Sequence, residues 1–232
     1  MEESLKKNKQ LLLRKHNTTN IKKFFQIFSE EDFDLLNKYS DLFDLIIIGI
    51  LNPNFPFNLR NEEILLKELE YYNLTNFEAV AEIGAGNGCF SLLMFFSNPN
   101  INLIVNEINI SMYKYFKKRF KLLSSQFNLN NITSTFGTSK KTRIRKKVDK
   151  IIIRKSFHHF SKKLKMLNEI QKDLNTNGIL FIQEYLKSPD NLNECSMLMS
   201  EEEILSSIPS HLFELKETKR LESKTIFKFI KI

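Results

Sequence analysis

The sequence predicts an α/β domain built on a mixed sheet, and three observations carry that prediction. From about residue 61, short apolar runs alternate with segments whose apolar residues recur at helical spacing. A Gly84-x-Gly86-x-Gly88 turn joins the first apolar run, Ala79-Val80-Ala81-Glu82-Ile83, to a helical segment that starts at Cys89. Near the end of the chain, Leu212–Arg220 and Thr225–Ile230 alternate as a closing antiparallel hairpin does.

Residues 1–60 read as a basic, helical N-terminal extension, either a lid or a packing element for a domain over 61–232. Lys6, Lys7, Lys9, Arg14, Lys15, Lys22 and Lys23 stand among Leu11, Leu12, Leu13, Phe24 and Phe25. Ser29 before Glu30, Glu31 and Asp32 is an N-cap with acids in the first turn, and Pro53 ends the helix that follows. Asn61 to about Tyr72 is a further helix. The strands expected next are 79–83, 101–107, 131–137, 149–154 and 179–185, with helices over 89–97, about 112–123 and 164–174. Asn175-Thr176-Asn177-Gly178 stops the last of these helices. Ser200 followed by Glu201, Glu202 and Glu203 caps a short helix before the hairpin.

Composition narrows the class. The chain has 232 residues, 42% hydrophobic and 27% charged, which suits a globular α/β domain rather than a disordered chain. Cys89 and Cys195 make neither a disulfide framework nor a metal cluster, so reduced thiols, a cytoplasmic setting and no metal are expected. The start does not read as a secretory signal, and the longest apolar run, Leu45–Leu51, is far short of the ~20 residues of a membrane span. The formal charge of +8 suits an anionic partner, nucleic acid included. Its densest stretch is Lys140-Lys141-Thr142-Arg143-Ile144-Arg145-Lys146-Lys147.

The glycine turn carries the chemistry. Glycine lets backbone come close to a ligand, and the turn ends at a helix N-terminus, whose free N–H groups attract polar or anionic groups. The dinucleotide pattern G-x-G-x-x-G wants a small residue at position 89, where this chain has Cys89. Glu107 closes the second strand 19 residues after Gly88, where an acid grips a ribose diol. Together, Glu82-Ile83-Gly84-Ala85-Gly86-Asn87-Gly88, Glu107 and the closing hairpin resemble the class I S-adenosylmethionine (SAM)-dependent methyltransferases over about residues 60–232. The resemblance implies a seven-stranded mixed sheet of order 3-2-1-4-5-7-6 between helices, with SAM as cofactor and S-adenosylhomocysteine as product. The cofactor-binding set it implies is Glu82, Gly84, Ala85, Gly86, Gly88, Glu107, Ile108, Gly137, Thr138 and Arg154. Relatives often carry an acid after the third strand; here the turn reads Gly137-Thr138-Ser139, so Thr138 or backbone groups take its place.

Ser156-Phe157-His158-His159-Phe160 after the fourth strand resembles the small-molecule methyltransferases of quinone biosynthesis. It does not resemble the Asp/Asn-Pro-Pro-Tyr segment of amino methyltransferases, and no Pro-Cys pair marks a cytosine-C5 nucleophile. A histidine on that edge can take a proton from a hydroxyl or acidic carbon, and the sequence does not distinguish His158 from His159. The expected function is transfer of a methyl group to an O, N or C nucleophile of a small molecule. An anionic acceptor would be drawn by the Lys140–Lys147 stretch. The alternatives are an RNA or protein methyltransferase using the basic segments, and a SAM-fold binding protein without turnover.

Overall fold

A computed structural model describes residues 67–86, 88–124, 128–187, 195–222 and 224–232. The helices and lid role expected over residues 1–60 lie outside these residues. Seven strands form one sheet: β1 (Ala79–Ile83), β2 (Asn102–Glu107), β3 (Ile132–Phe136), β4 (Val148–Arg154), β5 (Leu174–Tyr185), β6 (Phe213–Leu221) and β7 (Lys224–Lys231). Their order is β3-β2-β1-β4-β5-β7-β6, as the resemblance implies. β1 pairs parallel with β2 and with β4, β4 pairs parallel with β5, and β7 runs antiparallel to both β5 and β6. After β1 the helices among the described residues are α1 (Cys89–Ser97), α2 (Ile110–Ser124), α3 (Lys163–Asp173) and α4 (Glu201–Ser206), with a 3-10 turn at Phe157–His159.

The chain divides into two compact units. The first comprises residues 67–77, 86–101 and 111–132, which include α1 and most of α2. Its residues 67–72 are helical, and the Tyr72 hydroxyl donates to Glu68 Oε1 at 2.8 Å while its ring meets Phe90 of α1 edge-on. The second unit, residues 78–85, 102–110 and 133–232, holds the sheet.

The central strands of that sheet are near-continuous apolar runs because parallel strands are buried on both faces. Ile151, Ile152 and Ile153 are fully buried. Ala81, Ile83, Ile151, Ile153, Leu180 and Ile182 share one core cluster with Phe157, with Met166, Leu167 and Ile170 of α3, and with Ile204 of α4. The outermost strand β6 carries exposed Glu214, Lys216, Glu217, Lys219 and Arg220, the charged edge that discourages pairing with another sheet.

The fifth strand departs from expectation. Asn175–Gly178, read as a stop for α3, belongs to β5. There the register jumps from Val148↔Leu174 to Lys150↔Ile179, with Asn177 at φ 60. The irregularity takes up the slack that a separate turn would have absorbed. The capping box at α4 stands as expected, Ser200 Oγ accepting from Glu203 N and Glu203 Oε2 from Ser200 N. No helix among the described residues is long and apolar enough to cross a membrane.

Candidate active site

In an open parallel sheet, ligands bind outside the carboxyl ends of the strands. In the sheet-bearing unit those ends are Ile83, Glu107, Phe136, Arg154 and the Glu184–Tyr185 end of β5.

At the end of β1 the Gly84 and Ala85 N–H groups both donate to the Asn106 carbonyl at 3.0 Å, fastening the turn to β2. Ser156 Oγ donates to the Ile83 carbonyl at 3.1 Å, and a Cβ on Gly84 would stand 2.7 Å from the Ser156 Cβ. Gly84 is therefore glycine because the turn after β4 crowds it. In the other unit, a Cβ on Gly88, the N-cap of α1, would meet the Phe116 ring at 2.6 Å from Cε2. Gly86, at φ 58, differs from both: a Cβ there would find no heavy atom within 4 Å among the described residues. Of the three glycines in the motif, Gly86 is the one beside which the described residues leave open space. Glu82 is buried in β1 two residues before Gly84.

β2 ends in two buried polar residues. Glu107 Oε1 accepts from Ile108 N and Asn109 N, each at 2.7 Å, so the carboxylate is fixed by the turn that follows it. Ile108 itself is exposed. Asn106, which the sequence did not single out, is the hub of this edge. Its Nδ2 donates to Thr135 Oγ1 at 2.7 Å and to the Thr142 carbonyl at 2.6 Å, while its own carbonyl holds the β1 turn. The Gly137 N–H donates to the Glu107 carbonyl at 3.0 Å. A Cβ on Gly137 would press on the Asn106 amide at 3.1 Å. The Thr138 hydroxyl oxygen accepts from Lys141 N at 3.0 Å, which commits it to the Thr138–Lys141 turn. Arg154 is buried at the end of β4.

The turn after β4 is held from β5. Glu184, 1% exposed, accepts through Oε1 from Phe157 N at 2.7 Å and His158 N at 3.3 Å, and through Oε2 faces His158 Nδ1 at 2.7 Å. His158 is buried, His159 exposed, and their ring centroids stand 4.0 Å apart. The structure thus separates the two histidines that the sequence left equivalent. Burial, then the charge of His158, lowers the pKa of His159, against the raising influence of Glu184. Lys163 Nζ donates to the Phe160 carbonyl at 3.1 Å, and its pKa is lowered by burial with Glu184 opposing. Donor atoms of His158, His159 and Cys195 lie within 4.8 Å of one another, which brings a thiol to this turn from far along the chain. Glu184 is the functional candidate that the sequence reading missed. Its signal was available: an acid near the carboxyl end of an apolar strand, the feature that marked Glu107.

With the geometry in place, the family can be stated. Residues 74–227 match the model of a methyltransferase domain, and the chain belongs to that family. The fold is that of the class I methyltransferases, and family and fold together indicate a SAM-dependent methyltransferase, with SAM the cofactor they imply. A SAM-dependent methyltransferase from Aquifex aeolicus has a TM-score of 0.62 at 18% identity, covering 82% of this chain and 98% of that one. The pyocyanin biosynthetic protein PhzM has a TM-score of 0.58 at 11% identity, over 75% of this chain and 57% of that one. The [4+2]-cyclase SpnF has a TM-score of 0.62 at 13% identity, over 76% and 84%. At these identities the likeness is one of fold. No curated protein matches the chain.

Proposed function

We propose that this chain methylates a hydroxyl group of a small-molecule acceptor, with His158 as general base and Glu184 as the residue that holds it. The buried Glu184–His158 pair at the ligand-binding edge is the observation that carries this reading. A carboxylate accepts, so the His158 proton stands on Nδ1 and Nε2 keeps its lone pair. When bound, SAM supplies a methyl group already activated on a sulfonium. A hydroxyl acceptor arrives protonated, and its proton must leave as the new C–O bond forms. His158 Nε2 takes that proton, and Glu184 stabilises the imidazolium from 2.7 Å. Base catalysis of this kind contributes about 10²–10⁴-fold. His159, exposed and biased toward its neutral form, lies beside the reaction.

For the cofactor, Gly86 is read as the point of close backbone approach and Glu107 as the ribose acid, its carboxylate oriented by Ile108 N and Asn109 N. Glu82, Gly84, Ala85, Gly88, Ile108, Gly137 and Arg154 complete the set, and Thr138 enters it through its backbone because its hydroxyl serves its own turn. The likeness in fold to PhzM, a pyocyanin biosynthetic protein, is in keeping with a small-molecule acceptor. The cysteine usage supports a cytoplasmic setting.

The test is methyl transfer from tritiated SAM by the purified chain to panels of phenols and alcohols, tRNA and peptides. Transfer to a hydroxyl-bearing small molecule, lost in His158→Gln while SAM still binds, supports the reading. Transfer to tRNA or peptide alone would overturn it in favour of a macromolecular acceptor. SAM binding with no transfer to any panel would favour a binding protein.

A further inference from the structure

The methyl-transfer reading leaves the basic stretch Lys140–Lys147 unused, and the structure gives it a definite path. Lys140, Lys141, Arg143, Arg145, Lys146 and Lys147 are exposed, whereas Thr142 is buried and Ile144 packs against the core cluster. Two inward residues thus fasten the strip and leave the cations outward. Thr142 is tied on both sides: its carbonyl accepts from Asn106 Nδ2 at 2.6 Å and its hydroxyl bonds Asp173. Arg143 sits at φ 59, a left-handed conformation that residues other than glycine seldom adopt. None of the six cations forms an ion pair among the described residues. The nearby acids are engaged elsewhere, Asp173 by Thr142 and Asp149 by Ala79 N and Asn175 Nδ2.

The strip crosses the sheet from edge to edge. Just before the strip, the Gly137 N–H donates to the Glu107 carbonyl at the carboxyl end of β2, and Thr142 stands between the two edges, its carbonyl bonded to Asn106 near that end and its hydroxyl to Asp173, which precedes Leu174 at the start of β5. Val148 begins β4 at the opposite edge, five residues before Ile153, or about 17 Å at the usual strand rise. At that far end Lys231 Nζ donates to the Leu174 carbonyl at 2.7 Å, and its pKa is lowered by burial first and by the charge of Lys147 second.

We propose that this strip binds the phosphate backbone of a nucleic acid, single-stranded RNA in the first instance. A small anion at the ligand-binding edge could meet Lys140 and Lys141, but it cannot also cover Arg145, Lys146 and Lys147. A linear polyanion can. Arginine forks suit phosphate oxygens. The strip is irregular rather than an amphipathic helix with an apolar face, so a membrane surface fits it poorly. The proposal does not rest on the hydroxyl-methylation reading and survives its failure.

Fluorescence anisotropy of the full chain with a labelled twelve-nucleotide oligouridylate RNA tests it, across a salt series. For single strands, log K falls with log salt at about 0.7 per phosphate neutralised. The variant Arg143→Gln, Arg145→Gln, Lys146→Gln, Lys147→Gln should weaken binding at least tenfold and flatten the slope by about 3. SAM affinity and Tm should match wild type, because all four side chains are exposed. Neutralising the exposed α2 residues Lys114, Lys117, Lys118 and Lys121 should leave this difference in place. An oligothymidylate arm reports whether RNA is preferred, and a vesicle of phosphatidylserine and phosphatidylcholine reports the membrane alternative. The proposal is overturned if the quadruple variant binds RNA with wild-type affinity and slope. Effects confined to Lys140→Gln and Lys141→Gln would also overturn it, pointing to a small anion. So would vesicle binding that depends on the four residues while RNA binding does not.

Discussion

Glu107 and Glu184 are the same device built twice, with different reach. Each is an acid near the carboxyl end of a parallel-paired strand, and each gathers two backbone N–H groups onto one oxygen. Glu107 takes its donors from the next two residues, Ile108 and Asn109. Glu184 takes its donors from Phe157 and His158, on the turn of another strand, and adds the His158 ring. The first acid orders its own turn. The second couples two strands and sets the tautomer of a histidine. Local partners let an acid order one turn, while distant partners let it tie two strand ends together.

The sharpest way to break the comparison is at Glu184. Glu184→Ala leaves two buried N–H groups without an acceptor, each costing about 1–3 kcal/mol. At about 2–4 °C per kcal/mol for a domain of this size, Tm should fall by several degrees or more. Glu184→Gln is the cleaner probe. Its amide oxygen can keep the backbone donors, but its NH2 would face His158 Nδ1 and drive the proton to Nε2. With hydroxyl acceptors kcat should fall about 10²–10⁴-fold. Tm and SAM affinity should stay near wild type, and nitrogen-15 shifts of His158 should report the exchanged tautomer. An unchanged kcat would remove the base from the mechanism.

The glycine turn offers the next contrast. Gly86→Val places a side chain where the described residues leave open space, and SAM binding by calorimetry should drop more than a hundredfold. Gly84→Ala meets Ser156 instead, so its first effect should be on Tm. If Gly86→Val binds SAM normally, the open space beside Gly86 is not the cofactor's.

Glu107→Ala should weaken SAM binding by about 1–3 kcal/mol through the lost charged hydrogen bonds. At saturating SAM its kcat should match wild type, the opposite of Glu184→Gln. A Glu107 variant that lost kcat at saturation would erase the difference between the two acids.

Legibility in the sequence follows the same line between local and distant. Strand β1, helix α1 and the capping box of α4 were readable because their signals lie within a few residues: an apolar run, a glycine turn, Ser200 with Glu203. Glu107 was readable because its distance from Gly88 is fixed by one strand and one helix. The strand order came through the resemblance, since periodicity alone does not place β7 between β5 and β6. Glu184, Asn106 and the approach of Cys195 to the histidines were not readable, because each depends on which strand ends stand side by side. Thr138 shows the converse. Its hydroxyl was free to be assigned until the turn to Lys141 was seen to use it.

The smallest expected effect is a titration. Burial and the His158 charge lower the His159 pKa from 6.5, and Glu184 opposes them. Because the folded value is depressed, the unfolded chain binds more protons in the window just below 6.5, so stability rises with pH there. That contribution is present above 6.5 and lost as pH falls toward the lowered folded value. Asp173 acts in the reverse sense. Burial raises its pKa from 3.8, against the Thr142 hydrogen bond, so stability falls as pH rises through its window. Tm measured against pH should therefore flatten below 6.5 in His159→Asn and change in the opposite direction in Asp173→Asn. The comparison between the two acids then has a last test. Glu184 acts on His159 both directly and through the charge of His158, so Glu184→Gln should move the assigned His159 titration. Glu107→Gln should leave it where it is, and an equal shift from both variants would mean that Glu184 has no special hold on this turn.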